Sequence, residues 1–155
     1  MRREPDFEEF LQLLNQHQVK YCIVGAFAVG LYAEPRYTKD LDILVEPTIE
    51  NGGKVVAALK DFGFESMGLT AADFLEKNEF IQLGYAPVRI DLITTIKGCT
   101  FDEVWQNKKS GQYGDQKVFV IGREELIKTK KESARPQDIS DLKAIKEISG
   151  GEDLQ

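Results

Sequence analysis

Near the start of the chain the apolar residues follow a helical repeat. Phe7, Phe10, Leu11 and Leu14 fall at i, i+3, i+4 and i+7, behind an Asp6 that has Glu9 three residues on, and this predicts a helix over about residues 6 to 18. The repeat then gives way to Tyr21-Cys22-Ile23-Val24, an unbroken apolar run stopped by Gly25, which reads as a buried strand with a tight exit. Residues 26 to 33 permit a helix. From Lys39 to Val45 the period changes to two, so that Asp40 and Asp42 share one face of a strand and Leu41 takes the other. A helix over about residues 48 to 62, weakened by Gly52-Gly53, and a shorter one after Thr70 carrying Phe74 and Leu75 come next. Residues 80 to 83 and 88 to 94 flank the turn Gly84-Tyr85-Ala86-Pro87 and predict an antiparallel hairpin with Asp91 inside its second strand. Downstream the pattern predicts a short helix at 101 to 108, a polar stretch around 108 to 116, a strand at 117 to 121 and a helix at 123 to 132. A last helix opens at Pro136, with Asp138 in its first turn and Ile139, Leu142 and Ile145 on one face.

This order of elements is that of an α+β (α/β-like) fold, a small mixed sheet flanked by helices and closed by two C-terminal helices. With 155 residues, 42% of them hydrophobic, the chain can bury a core as one domain, expected over residues 1 to 149 with 150 to 155 as a disordered tail. No run of about 18 apolar residues is present to cross a bilayer, and Met1-Arg2-Arg3-Glu4-Pro5-Asp6 lacks the apolar core and cleavage site of a secretory signal. A cytoplasmic protein is therefore expected. Cys22 and Cys99 lack metal-ligand spacing and read as free thiols. A net charge of -6 opposes the broad basic footprint of a protein that grips long nucleic acid.

The chemistry lies in the carboxylates. A charge buried unpaired in an apolar strand costs several kcal/mol or so, yet Asp40, Asp42 and Asp91 interrupt two such segments. Asp40 and Asp42 stand about 6.6 to 7 Å apart along their strand, close enough to reach ions on the same face, and Asp91 can complete the set from a neighbouring strand. The alternative for Asp40-Leu41-Asp42 is a solvated strand edge. Oxygen donors without His or Cys select hard cations, Mg²⁺ or Mn²⁺ rather than zinc. His17, the single histidine, falls near the end of the first helix and receives no role.

Val24-Gly25-Ala26 followed by Thr38-Lys39-Asp40-Leu41-Asp42-Ile43 resembles the DNA polymerase beta-like nucleotidyltransferase superfamily, whose signature is an apolar strand, Gly-[Gly/Ser], a short helix and Asp-x-Asp on a second strand. The run from Gly25 through Pro35-Arg36-Tyr37-Thr38 to Asp42 is most similar to the small uncharacterised, toxin-associated branch that includes abortive-infection-type enzymes. Leu126-Ile127, Lys131, Arg135-Pro136, Asp138 and Asp141 resemble that branch's C-terminal pattern, so the likeness runs from about Tyr21 to Leu142. It implies that Asp40 and Asp42 hold metal on a nucleoside triphosphate while Asp91 helps to activate an acceptor hydroxyl. The implied reaction is two-metal nucleotidyl transfer with pyrophosphate leaving. Ala26 departs from the signature by removing a hydroxyl, which leaves the backbone at Gly25 and Ala26 and the following helix N-terminus to meet phosphate.

A triphosphate beside three carboxylates also needs cations. Lys128, Lys131 and Arg135 fall at i, i+3 and i+7 and share one stripe if the helix continues, the alternative being a solvated charged face. Arg36 and Lys39 precede the metal strand and are further phosphate candidates, with ordinary loop polarity as the alternative. Trp105, Tyr85 and Phe80 can stack a base, although core packing is the commoner use of such residues.

Two other classes compete. One is a catalytically degenerate nucleotide-binding protein, which Ala26 favours and the Asp triad opposes. The other is a toxin-antitoxin pairing module whose main partner is another protein. A sugar-nucleotide transferase does not need Gly25 fifteen residues before its Asp-x-Asp, and an aspartyl-phosphate phosphatase wants that motif on its first strand. The acceptor, whether a protein side chain, an RNA end or a small molecule, is open at this stage.

Overall fold

The computed structural model describes residues 4–33, 40–64, 68–75, 80–84 and 88–149. Helix α1 (Pro5–Gln16) starts on a proline at its first position, which costs no hydrogen bond there, and buries Phe7, Phe10, Leu11 and Leu14 as the repeat predicts. Each such side chain contributes about 1.5–3 kcal/mol. Phe10 meets Phe62 at a ring-centroid distance of 5.0 Å, so Phe10→Ala would loosen the helix at its centre. His17 is paired with Asp61 at 2.7 Å, tying the end of α1 to α3 (Ile49–Asp61).

The sheet contains, among the described residues, β1 (Tyr21–Val24), β2 (Asp40–Val45), β3 (Phe80–Leu83), β4 (Arg89–Ile93), β5 (Lys109–Tyr113) and β6 (Gln116–Val120), in the order β3-β4-β2-β1-β6-β5. β2 runs antiparallel to β1 and parallel to β4; β1 is parallel to β6, and β3/β4 and β5/β6 are antiparallel hairpin pairs. All four residues of β1 are buried because the strand lies inside the sheet with helices on it.

Helix α2 (Gly25–Tyr32) has almost no polar face, and Phe27, Ala28, Val29, Gly30 and Tyr32 are buried. The Tyr32 hydroxyl donates to the carbonyl of Ile121 at 2.9 Å, which fixes the far end of α2 over the sheet. Two later helices, α5 (Arg123–Ser133) and α6 (Pro136–Ser149), pack against it and against each other.

α3 runs unbroken through Gly52-Gly53, and a Cβ on Gly52 would come within 2.5 Å of the carbonyl oxygen of Ala71, so that glycine lets the next segment approach closely. Three local expectations are corrected. That segment is a single 3₁₀ turn, Ala71–Phe74, closed by a Thr70–Asp73 capping box, with Leu75 outside it. The polar stretch before residue 117 is strand β5, a sheet edge whose exposed positions are the polar ones, so no apolar alternation announces it. In α6 the buried side is Asp138, Asp141 and Ile145, while Ile139 is 59% exposed. The short helix α4 (Phe101–Gln106) carries Trp105 into a cluster of Phe101, Phe119 and Lys108.

Candidate active site

The register of the sheet assembles the site. Val24, the last residue of β1, stands opposite Asp42 of β2, and Asp42 stands beside Asp91 of β4, while Asp40 stands beside Arg89. Because side chains alternate along a strand, Asp40, Asp42, Arg89 and Asp91 emerge on one face, while Leu41, Ile43, Ile90 and Leu92 fill the core. Gly25 turns the chain out of β1 with φ +72°, and a Cβ there would collide with the Asp42 carboxylate. Glycine is thus required twice over, by conformation and by space. The N-terminus of α2, uncapped by any side chain, begins at this same point.

Asp91 is 3% exposed, and its Oδ1 is buried with no hydrogen-bond partner. Nη2 of Arg89 lies 3.1 Å from Asp91 Oδ2 and 3.3 Å from Asp40 Oδ2, bridging the two carboxylates, and Arg89 Nε is buried without a partner. Burial, and then the charge of Asp91, push the Asp42 carboxyl up to about 7. Burial likewise raises Asp91, against the pull of Arg89. Among the described residues no three acidic, histidine or cysteine side chains close around a point fit for a metal ion, and Arg89 contacts both Asp40 and Asp91. The donor set nevertheless suits a hard divalent ion: oxygen-only, in register, and with one buried carboxylate oxygen unpartnered.

Asp42 and Gly25 open into a cavity of about 550 Å³. Its other walls are Phe80, the segment Thr95, Ile96 and Lys97 after β4, and Leu126, Thr129, Lys130, Ser133, Arg135 and Asp138 from the last two helices. Lys130 is buried, with Nζ 3.0 Å from Asp138 Oδ1 and 3.2 Å from Asp141 Oδ2. Arg135 donates through Nε to Asp138 Oδ2 at 2.8 Å, and these hydrogen bonds hold Asp138 well below the usual carboxylate range. The hydrogen bond and charge of Asp138 in turn favour the cationic form of Arg135.

The expected stripe of Lys128, Lys131 and Arg135 does not form. α5 ends at Ser133, Ala134 takes a left-handed φ of 49°, and Arg135 leaves the helical path. Lys128 instead pairs with Glu103 at 3.1 Å and Lys131 is exposed; neither lines the cavity. Arg36, Lys39 and Tyr85 lie outside the described residues. Phe80, 55% exposed, is the aromatic at the cavity, whereas Trp105 is packed elsewhere. Ala26 follows Gly25 in the first turn of α2.

Two residues were missed, and both had signals. Arg89 is two before Asp91, so the alternation that pairs Asp40 with Asp42 also pairs Arg89 with Asp91. Lys130 is four after Leu126 and three after Ile127, which puts it on the buried side of α5.

Residues 4–155 match the family described as Nucleotidyl transferase of unknown function (DUF2204). The chain belongs to that family. No protein of curated function matches the sequence significantly. Among solved structures the fold of this family member is similar to that of the lincosamide antibiotic adenylyltransferase LnuA in its lincomycin-bound form, at 19% identity and a TM-score of 0.60, covering 94% of this chain and 98% of that one. It is also similar to the antibiotic-resistance factor ANT(2'')-Ia, at 12% identity and a TM-score of 0.59, covering 90% and 80%. A putative nucleotidyltransferase from Thermotoga maritima matches at 13% identity and a TM-score of 0.56, covering 92% and 93%. These likenesses show a nucleotidyltransferase fold. No helix among the described residues is long and apolar enough to cross a membrane.

Proposed function

We infer that the chain transfers a nucleoside monophosphate from a nucleoside triphosphate to a hydroxyl on an acceptor, with Asp40, Asp42 and Asp91 as its metal-binding carboxylates. The observation that carries this reading is Asp42, set in register beside buried Asp91 and lining the cavity together with Gly25. Mg²⁺ or Mn²⁺ held by these carboxylates would offset the triphosphate charge and stabilise the attacking and leaving oxygens of an in-line displacement. The backbone at Gly25 and Ala26 and the positive end of α2 meet the phosphates, so the missing Ala26 hydroxyl is not needed. Arg135 and Lys130 also line the cavity, and Arg135, 73% exposed, is the one of the two placed to turn from Asp138 toward phosphate. Asp91 takes the proton of the acceptor hydroxyl as its oxygen bonds to the α-phosphorus and the bond to pyrophosphate breaks. Burial, which makes Asp91 a better base than an exposed carboxylate, suits it to this role.

A cavity of about 550 Å³ has room for a nucleotide, with Phe80 available to a base at its rim. LnuA is named as a lincosamide antibiotic adenylyltransferase and ANT(2'')-Ia as an antibiotic-resistance factor, which supports a small molecule as the first acceptor class to test, ahead of an RNA end and a protein side chain. The test is the thermal shift of the purified protein with each nucleoside triphosphate, with and without Mg²⁺ or Mn²⁺. A shift that needs both is expected, and it should vanish in Asp42→Asn. No shift with any nucleotide would favour a degenerate fold that serves as a toxin-antitoxin or other protein-pairing module.

A further inference from the structure

Asp40, Asp42 and Asp91 stand on one face of neighbouring strands, and like charges so placed repel one another. Among the described residues one guanidinium nitrogen offsets this repulsion: Arg89 Nη2 is shared between Asp91 at 3.1 Å and Asp40 at 3.3 Å. A structural brace built from arginine uses its fork, two parallel N–H groups on one carboxylate. Here the fork is not used. Arg89 Nε is buried without a partner, and so is Asp91 Oδ1, so each side of the contact keeps an unsatisfied buried atom. An arrangement half satisfied on both sides is a poor brace and an easily displaced placeholder.

We propose that Arg89 is an internal counter-ion that occupies the cation position between Asp40 and Asp91 and must yield Asp91 when a divalent ion binds. The inference rests on the nucleotidyl-transfer reading of the same carboxylates. Register makes the device possible: Arg89 stands beside Asp40 across the β2–β4 pair and two residues before Asp91 on its own strand, so a single side chain reaches both. Its consequence is a threshold. A divalent ion arriving alone competes with a tethered cation, whereas an ion arriving with a triphosphate brings oxygen ligands and an anion that Arg89 can turn toward.

The test is Mn²⁺ binding to the full-length, nucleotide-free protein, followed by isothermal titration and by the Mn²⁺-induced change in Tm, for wild type and Arg89→Met. Methionine keeps an apolar stem and removes the charge. The expected result is a Kd for Mn²⁺ at least about tenfold lower in Arg89→Met, with a lower metal-free Tm that Mn²⁺ restores. An unchanged or higher Kd overturns the proposal, because a brace would lower Tm without giving the metal anything. If Arg89→Met does not fold, Arg89→Lys serves: its shorter point charge cannot span both carboxylates, and Mn²⁺ affinity should again rise above wild type. Wild type is titrated in parallel with Mn²⁺ and triphosphate. Binding there, with unchanged Mn²⁺ affinity in the variant, removes the counter-ion and leaves the transfer reading standing. No wild-type binding even with triphosphate, but Mn²⁺ uptake by the variant, supports the counter-ion and tells against transfer. No binding by either protein overturns both.

Discussion

Asp42 and Asp91 stand side by side in the parallel strands β2 and β4, two carboxylates in one register on one face. Burial, and then the charge of Asp91 beside it, push the Asp42 carboxyl up to about 7, so without metal a charge at Asp42 is disfavoured near neutral pH.

Replacing Asp42 by Asn should therefore leave the metal-free Tm at pH 7 unchanged or raised, while abolishing the metal-dependent thermal shift with triphosphate. An isosteric amide removes like-charge repulsion in the empty site and a ligand in the filled one. Triphosphate affinity equal to wild type would take Asp42 out of the site.

Gly25→Ala tests the cradle. Alanine at φ +72° is strained by about 1 kcal/mol, and its Cβ would also push Asp42 Oδ2 out of place. A modest loss of Tm with a disproportionate loss of triphosphate binding is expected. A variant that loses only stability would show that Gly25 serves the turn alone.

The site was legible in the sequence to the extent that it follows from strand alternation. Asp40, Asp42 and Asp91 needed only a period of two and the assumption of neighbouring strands, and the register of β2 with β4 supplies that neighbour. The edge strand β5 was not legible, because Lys109-Ser110-Gly111-Gln112 pairs by backbone and shows the pattern of a loop. The cations that line the cavity differ from the predicted stripe by one position and one helix end. The sequence carries no mark of the left-handed turn at Ala134, a residue that rarely adopts it, so a continuous helix made Lys131 look aligned with Arg135. Lys130, on the apolar side of α5, is the lysine that reaches the cavity, because Asp138 and Asp141 of α6 are there to receive it.

That buried cluster sets an acid limit on stability. The folded Asp138 carboxyl lies below its ordinary value of 3.8, chiefly through Arg135 and also through Lys130, so its contribution is present above about pH 4 and is lost as pH falls below that. Asp138→Asn should destabilise the protein at pH 7 by about 1.5–3 kcal/mol, since Lys130 and Arg135 lose a charged partner while Lys130 keeps Asp141. The gap between variant and wild type should then narrow as pH falls below about 4. Urea unfolding at pH 7 and pH 3 measures both. A gap independent of pH would mean that Asp138 acts by packing and not by charge.

Arg135 and Lys131 differ by four positions and were expected on one stripe, yet Arg135 lines the cavity and Lys131 faces solvent. Arg135→Ala should therefore weaken triphosphate binding by about tenfold, and monophosphate binding less, since a charge-assisted contact to phosphate is worth about 1.5–3 kcal/mol. Lys131→Ala and Lys128→Ala should leave both affinities within about twofold, because neither residue lines the cavity and exposed charges outside it are screened. Isothermal titration with a triphosphate and its monophosphate separates the cases. Equal losses for both ligands in Arg135→Ala would move that residue from the phosphates to the base or sugar, and a loss in Lys131→Ala as large as that in Arg135→Ala would mean that the end of α5 rearranges when nucleotide binds.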